Sequence, residues 1–178
     1  PFLEYSNHQY KPMKNAYAGH LKYSFQLRPH TVADQAYIGA YQGIGVGYFN
    51  FGNPEELGNP LAVYLFQGGR IAQFSPRISL NYEWNFGASF GWKPYDEYDN
   101  PENQIIGSKV NAYLNVNLYL KWALSPKFDL MIGTTGSHFS NGNTQYPNSG
   151  LNTVDCKVGL VYNFNRRADE LAQSWQRP

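Results

Sequence analysis

The segment Val110–Leu124, with the sequence VNAYLNVNLYLKWAL, alternates between two kinds of side chain along its whole length. Its even-numbered positions are apolar, and its odd-numbered positions are mostly Asn and Tyr. Successive side chains of a β-strand point to opposite faces, so this period of two predicts one long strand with an apolar and a polar face. The same alternation runs through Arg77–Trp92 and His20–Leu27. The sequence therefore predicts an all-β fold.

The composition agrees with this class of fold. The chain has 178 residues, of which 17% are aromatic and only 15% are charged, so we expect a single domain. A net charge of +1 gives no basic surface, and nucleic acid is not an expected partner. The single cysteine excludes an internal disulfide. The chain does not start with a basic and then apolar stretch, so we expect a signal peptide to be absent or already removed.

Two environments can hold a strand with one apolar and one polar face. In a soluble sandwich the apolar face forms the core, whereas in a transmembrane barrel it meets lipid and the polar face lines a narrow interior. The barrel is favoured because the strands are long enough to cross a bilayer and the polar faces carry Asn, Ser and Gly rather than many Lys and Glu. Aromatic residues also recur near the strand ends, as interfacial girdles require. They are Phe51, Phe74, Trp92, Trp122, Tyr162 and Phe164.

The order of turns and loops predicts the number of strands. Seven segments have the pattern of strands: 18–27, 36–51, 61–74, 77–92, 110–124, 128–140 and 151–164. Short turns alternate with longer loops, as in outer-membrane barrels with short periplasmic turns. If the last strand runs toward the periplasm, one more strand must precede the first, and Phe2–Gln9 is the available segment.

We therefore expect an all-β, eight-stranded antiparallel transmembrane β-barrel, which is the smallest barrel in common use. The expected location is the outer membrane of a Gram-negative bacterium. The barrel domain covers residues 1–164, and residues 165–178 form a periplasmic C-terminal extension.

Polar side chains interrupt the lipid-facing stripe at the outer end of two neighbouring strands. His138 and Ser140 share one outward face, and Asn152 lies at the top of the outward face of the next strand. A His-x-Ser pair on a strand most often has no catalytic role. Polar side chains that face lipid are energetically costly, however, and their presence there indicates a function. A serine beside an imidazole suits acyl transfer, in which the histidine takes the serine proton. The side chain of Asn141 and the backbone N–H of Gly142 are candidate oxyanion donors.

Two short motifs around these residues resemble the signature of outer-membrane lipid A 3-O-deacylases. They are Ser137–Gly142, SHFSNG, and Pro147–Asn152, PNSGLN. The resemblance implies an esterase that removes an acyl chain from the 3-position of lipid A, with His138 and Ser140 catalytic. Where that pattern carries a glutamate, this chain has Asn152. An asparagine can hold an imidazole in one tautomer, as in Cys-His-Asn proteases, but it cannot stabilise the imidazolium by charge.

The expected partners are lipid A in lipopolysaccharide and the surrounding membrane lipids, while the oligomeric state stays open. Four lysines fall in the predicted outer loops or at their ends: Lys11, Lys14, Lys93 and Lys109. They are candidate ligands for the phosphates and acidic sugars of the substrate. The alternative is that they only balance the acidic residues of the loop 93–109.

Two other functions remain open at this point. A small barrel with a structural or adhesive role shares the fold, since a fold alone does not fix a function. A lipid A acyltransferase would move an acyl chain onto lipid A instead of removing one. No cofactor and no metal site are expected, because the remaining histidines lack ligand spacing. Inside the barrel we expect ion pairs formed by Arg77 with Glu83 and by Lys121 with Asp129.

Overall fold

The computed structural model describes residues 15–26 and 39–166. In these ranges seven strands form one antiparallel sheet in chain order, with each strand paired to the next. None of the described residues belongs to a helix long and apolar enough to cross a membrane. The strands are β1 (Tyr17–Gln26), β2 (Tyr41–Asn50), β3 (Gly58–Ser75), β4 (Ile78–Trp92), β5 (Val110–Ala123), β6 (Phe128–Ser140) and β7 (Leu151–Tyr162).

The all-β prediction and the seven predicted segments are confirmed, with small differences at the ends. The largest difference is in the segment 36–51, where β2 begins at Tyr41. Gly39 precedes it with a φ of 70°, a turn conformation that no regular strand includes. The predicted first strand, Phe2–Gln9, lies outside the described residues, as do Lys11, Lys14 and residues 167–178. The eight-strand count and the division at residue 164 therefore stay predictions.

The alternation in the sequence matches an alternation in exposure, with the usual polarity reversed. Along β5, the apolar side chains of Leu114 and Val116 are 43% and 64% exposed, whereas Asn115 and Asn117 are buried. The same reversal holds along β4, where Glu83 is buried and Trp84 is exposed. One face of the sheet therefore encloses polar groups, and the other presents a broad apolar surface.

The sheet curls so far that both of its edges reach the same interior carboxylate. Lys22 on β1 and Lys157 on β7 each form an ion pair with Glu83 on β4, and the Lys157 pair measures 3.5 Å. On the outer face, the ring centroids of Tyr23 and Phe164 lie 6.3 Å apart. These contacts bring the first and last described strands toward each other around a polar interior.

The predicted pair of Arg77 with Glu83 is wrong. Asp129 forms its ion pair with Arg166, while Lys121 lies near Asp129 without such a contact. Arg77 lies exposed at the β3–β4 turn, and Glu83 is paired with Lys22 and Lys157 instead. Arg166 follows β7 and folds back over the β5–β6 turn, where its Nη2 lies 2.6 Å from Asp129 Oδ1. Sequence pattern identifies which residues face inward, but the curvature of the sheet decides which of them meet.

A cluster of aromatic rings fills the interior near the end of the sheet that carries the β2–β3, β4–β5 and β6–β7 loops, here named the loop end. Phe139 is its centre, because its ring centroid lies 5.0 to 5.6 Å from the centroids of four other rings. Those rings belong to Phe49, Phe51, Trp92 and Tyr113. The loops add Leu57, Ile105 and Ile106, all fully buried. The cluster therefore closes the loop end of the interior and fixes the loops above it.

The interior ion pairs give a first test of this fold. Glu83→Gln leaves two enclosed lysines without their counter-charge, which typically costs about 3 kcal/mol of unfolding free energy. We expect a clearly lower urea midpoint for unfolding of the detergent-solubilised protein. Glu97→Gln is the matched control, because Glu97 is exposed in the β4–β5 loop. Equal midpoints for the two variants would contradict the assigned role of Glu83.

Candidate active site

The predicted site residues lie together on the outward face of the sheet at its loop end. The β6–β7 register places His138 directly opposite Asn152, and Ser140 is two residues farther along β6 on the same face. His138 and Ser140 are half-buried, whereas Asn152 is exposed. Phe139 between them points inward and is fully buried, which fixes the face on which its two neighbours stand.

Two hydrogen bonds connect the three polar side chains in series. His138 Nδ1 lies 2.7 Å from Asn152 Oδ1, and His138 Nε2 lies 3.0 Å from Ser140 Oγ. An amide oxygen only accepts hydrogen bonds, so Nδ1 must carry the ring proton. The lone pair of Nε2 then accepts the hydrogen bond of the Ser140 hydroxyl. This is the orientation in which an imidazole can remove a proton from serine.

The loop after Ser140 favours Gly142 over Asn141 as an oxyanion donor. The backbone N–H of Asn141 donates to Asn148 Oδ1 at 3.2 Å, and its side-chain amide donates to the carbonyl of Gln145 at 2.7 Å. Gly142 has a φ of 65°, and its N–H has no hydrogen-bond partner among the described residues. Its N–H is thus the uncommitted donor nearest to the serine in the chain.

Two residues of the β6–β7 loop support the site, and neither was selected from the sequence as a functional residue. Asn148 holds the loop through its bond to Asn141, as described above. Gly150 has a φ of 70°, and a methyl group at its Cα would lie 3.1 Å from His138 Cε1. The Pro-Asn-Ser-Gly run signals a turn, but only the folded chain shows that this turn packs against the histidine.

The β4–β5 loop is held in place by its own polar side chains. Asn103 is buried, and its Oδ1 accepts the backbone N–H groups of Ile105 and Ile106. The exposed carboxylate of Asp96 accepts the backbone N–H groups of Asp99 and Tyr98, which holds its pKa below the usual value. That turn therefore has its full stabilisation above the ordinary pKa of the carboxyl group, and it loses this stabilisation as the pH falls through the lowered pKa.

The remaining predicted substrate ligands lie at the ends of the same loop. Lys93 and Lys109 are exposed, and neither forms a hydrogen bond or ion pair with His138, Ser140 or Asn152. Among residues 15–26 and 39–166, no group of three or more His, Cys, Asp or Glu side chains is arranged to hold a metal ion. The groups that meet at the site are the hydroxyl of Ser140, the imidazole of His138 and the amide of Asn152.

A serine hydroxyl that is hydrogen-bonded to an imidazole has the arrangement of nucleophile and base that acyl transfer requires, and here the pair stands on the apolar outer face of the sheet. A family model described as lipid A 3-O-deacylase (PagL) matches residues 19–163. The chain belongs to this family of lipid A hydrolases, which confirms the resemblance seen in its SHFSNG and PNSGLN motifs. No curated protein and no solved structure matches the chain at a significant level.

The packing of Gly150 against the histidine gives a second test. Gly150→Ala places a methyl group close to His138 Cε1 and strains a left-handed backbone by about 1 kcal/mol. We expect deacylase activity to fall about tenfold or more, because small displacements of a catalytic group are costly. Gly91→Ala is the matched control. Gly91 also has a positive φ, but the atom nearest to a methyl group added there would be 3.6 Å away. Equal activity of the two variants would show that the displacement does not matter.

Proposed function

We propose that the protein is an outer-membrane serine esterase that removes the 3-O-linked acyl chain of lipid A in lipopolysaccharide. The observation that carries this proposal is the hydrogen-bonded chain from Ser140 through His138 to Asn152. It stands on the apolar outer face at the loop end, where an ester between a sugar and an acyl chain would lie in a membrane. Membership of the lipid A 3-O-deacylase family supports the same substrate.

The first half of the reaction forms an acyl-enzyme. Ser140 Oγ attacks the ester carbonyl carbon while His138 Nε2 takes the hydroxyl proton. The negative charge that develops on the carbonyl oxygen is stabilised by the N–H of Gly142, with Asn141 as a second candidate donor. When the carbon–oxygen bond to the sugar breaks, the imidazolium returns its proton to the 3-oxygen of the sugar. The products are the freed sugar hydroxyl and an acyl chain bound to Ser140.

The second half of the reaction releases the fatty acid. A water molecule gives a proton to His138 Nε2 and attacks the acyl-serine carbonyl. The bond to Ser140 Oγ breaks, and the imidazolium returns the proton to that oxygen. The partial exposure of His138 and the exposure of Asn152 support access of water from the side of the loops.

Asn152 acts in this proposal as the group that orients the imidazole. Its Oδ1 accepts the Nδ1 proton of His138, so Nε2 stays free to act as the base. An uncharged amide gives less stabilisation to the imidazolium than a carboxylate in the same position. Asn152 therefore affects the rate of the reaction more than the choice of substrate.

The exposed apolar face supports placement across a membrane. Apolar side chains cover this face from β2 to β7, including Ile44, Leu65, Phe86, Val116, Ile132 and Val158. The shortest strands have 10 residues, which is enough to cross a bilayer at a tilt. We propose a closed barrel in which Phe2–Gln9 supplies the eighth strand. Lys93 and Lys109, with Lys11 and Lys14, are proposed to attract the phosphates of the lipid at the membrane surface.

The membrane placement makes a simple prediction about solubility. Removal of detergent from the folded protein exposes its apolar face to water, so we expect aggregation or precipitation. Protein that is kept in detergent, or that is folded in the presence of phospholipid vesicles, should stay dispersed. The measurement is sedimentation of the protein with and without detergent. A folded monomer that stays in solution in plain buffer would contradict the placement.

The reaction is tested by the mass of lipid A after incubation with the detergent-folded protein. We expect loss of one acyl chain with the wild type, no change with Ser140→Ala, and nearly none with His138→Ala, because the two residues act as a unit. Thr134→Ala is the matched control, since Thr134 lies on the outward face of the same strand. A gain of mass would indicate an acyltransferase, and no change with the wild type would favour a non-enzymatic barrel.

The role of Asn152 predicts a graded series of rates. Asn152→Ala removes a hydrogen bond to a group that becomes charged, which is worth about 1.5–3 kcal/mol and therefore lowers kcat about tenfold or more. Asn152→Glu is expected to raise kcat, because a carboxylate also stabilises the imidazolium. Single-turnover rates of all three proteins measure this series. A rate for Asn152→Ala equal to that of the wild type would remove Asn152 from the mechanism.

A further inference from the structure

A cleft at the loop end has no role in the mechanism described above. Its volume is about 420 Å³, within the usual range for small-ligand sites. It lies between the β4–β5 loop and the β6–β7 loop. Its lining residues are Tyr95, Gln104, Tyr146, Pro147 and Ser149.

The cleft has a firm base because the two loops dock onto each other. Ser149 Oγ donates a hydrogen bond to the carbonyl of Gln104 at 3.1 Å. A methyl group on Gly107 would lie 2.7 Å from the carbonyl oxygen of Pro147, so the loops touch here through backbone alone. The backbone N–H of Tyr95 is bonded at 2.8 Å to the carbonyl of Ile106, whose side chain is fully buried. The aromatic ring of Tyr95 is thus carried by an anchored segment.

The cleft also adjoins the candidate active site through two consecutive residues of the β6–β7 loop. Ser149 lines the cleft, and the next residue, Gly150, packs against His138 and lies near Ser140. In a 3-O-acyl sugar the ester oxygen is attached directly to the sugar ring. When the ester carbonyl meets Ser140, the sugar ring must therefore lie within a few bonds of the serine, next to the β6–β7 loop.

The chemistry of the lining selects a sugar over a phosphate. No side chain that lines the cleft carries a charge, so a bound phosphate would have no cation there. The exposed rings of Tyr95 and Tyr146 offer flat apolar faces to the C–H groups of a pyranose, while the serine hydroxyl and backbone carbonyls meet its hydroxyl groups. We propose that this cleft binds the sugar ring of the acylated substrate. The proposal rests on the proposed function and adds the subsite that recognises the sugar.

The test compares an ester that contains the sugar with one that lacks it. For Tyr146→Ala we expect KM for lipid A to rise about tenfold, as for loss of an aromatic contact, with hydrolysis of a p-nitrophenyl acyl ester unchanged. Tyr146→Phe should retain the wild-type KM, since the ring remains. Tyr98→Ala is the control, because Tyr98 is an aromatic residue of the β4–β5 loop that lies outside the cleft and is 89% exposed. Equal losses on both esters, or no loss on either, would overturn the proposal, as would a Phe variant that behaves like the Ala variant.

Direct binding separates this proposal from the proposed reaction. Lipid A in detergent micelles is titrated against the Ser140→Ala protein and against the same protein with Tyr146→Ala. We expect about tenfold weaker binding of the second protein to lipid A, with equal binding of both proteins to the same detergent micelles that contain a phosphatidylethanolamine instead of lipid A. This difference would support the cleft even if the wild type cleaved no ester. Equal affinity of the two proteins for lipid A would overturn it.

Discussion

The carboxylate of Glu83 is the group around which the described sheet closes. It stands on the central strand β4 and pairs with lysines from β1 and β7, the two outermost strands of the sheet. A flat sheet of seven strands could not bring its edges to one side chain, so these pairs require strong curvature. Tyr41 and Asn117 donate further hydrogen bonds to the same carboxylate. A buried charge with several partners of this kind is costly to disrupt, which holds the curvature.

Curvature in turn separates the side chains into an enclosed polar set and an exposed apolar set, and the candidate site depends on that separation. Because Phe139 is drawn into the aromatic cluster at the loop end, His138 and Ser140 must stand on the opposite face. The β6–β7 register then brings Asn152 opposite the histidine without any insertion or bulge. The common face of the three polar residues is therefore a consequence of strand pairing, and the β6–β7 loop supports it through the packing of Gly150 against His138.

The sequence was sufficient for the parts of the structure that follow from a period of two. It predicted the seven strands, the inward and outward faces, and the common face of His138, Ser140 and Asn152, because each depends only on local alternation. It was insufficient for contacts that depend on curvature, and the predicted partner of Glu83 was wrong for that reason. It also could not show that Gly150 packs against the histidine or that the two long loops dock, since these contacts join segments that are distant in the chain.

The aromatic cluster around Phe139 has a consequence for the kinetics of the proposed enzyme. It fills the interior behind Ser140, which stands on the outward face, so in the proposed membrane placement the substrate would approach the serine from the lipid layer by lateral diffusion. The rate then depends on the mole fraction of substrate in the lipid layer. The bulk concentration of substrate affects the rate only by changing that fraction. Diluting the lipid with inert detergent at constant total substrate would slow the enzyme, as for other catalysts confined to two dimensions.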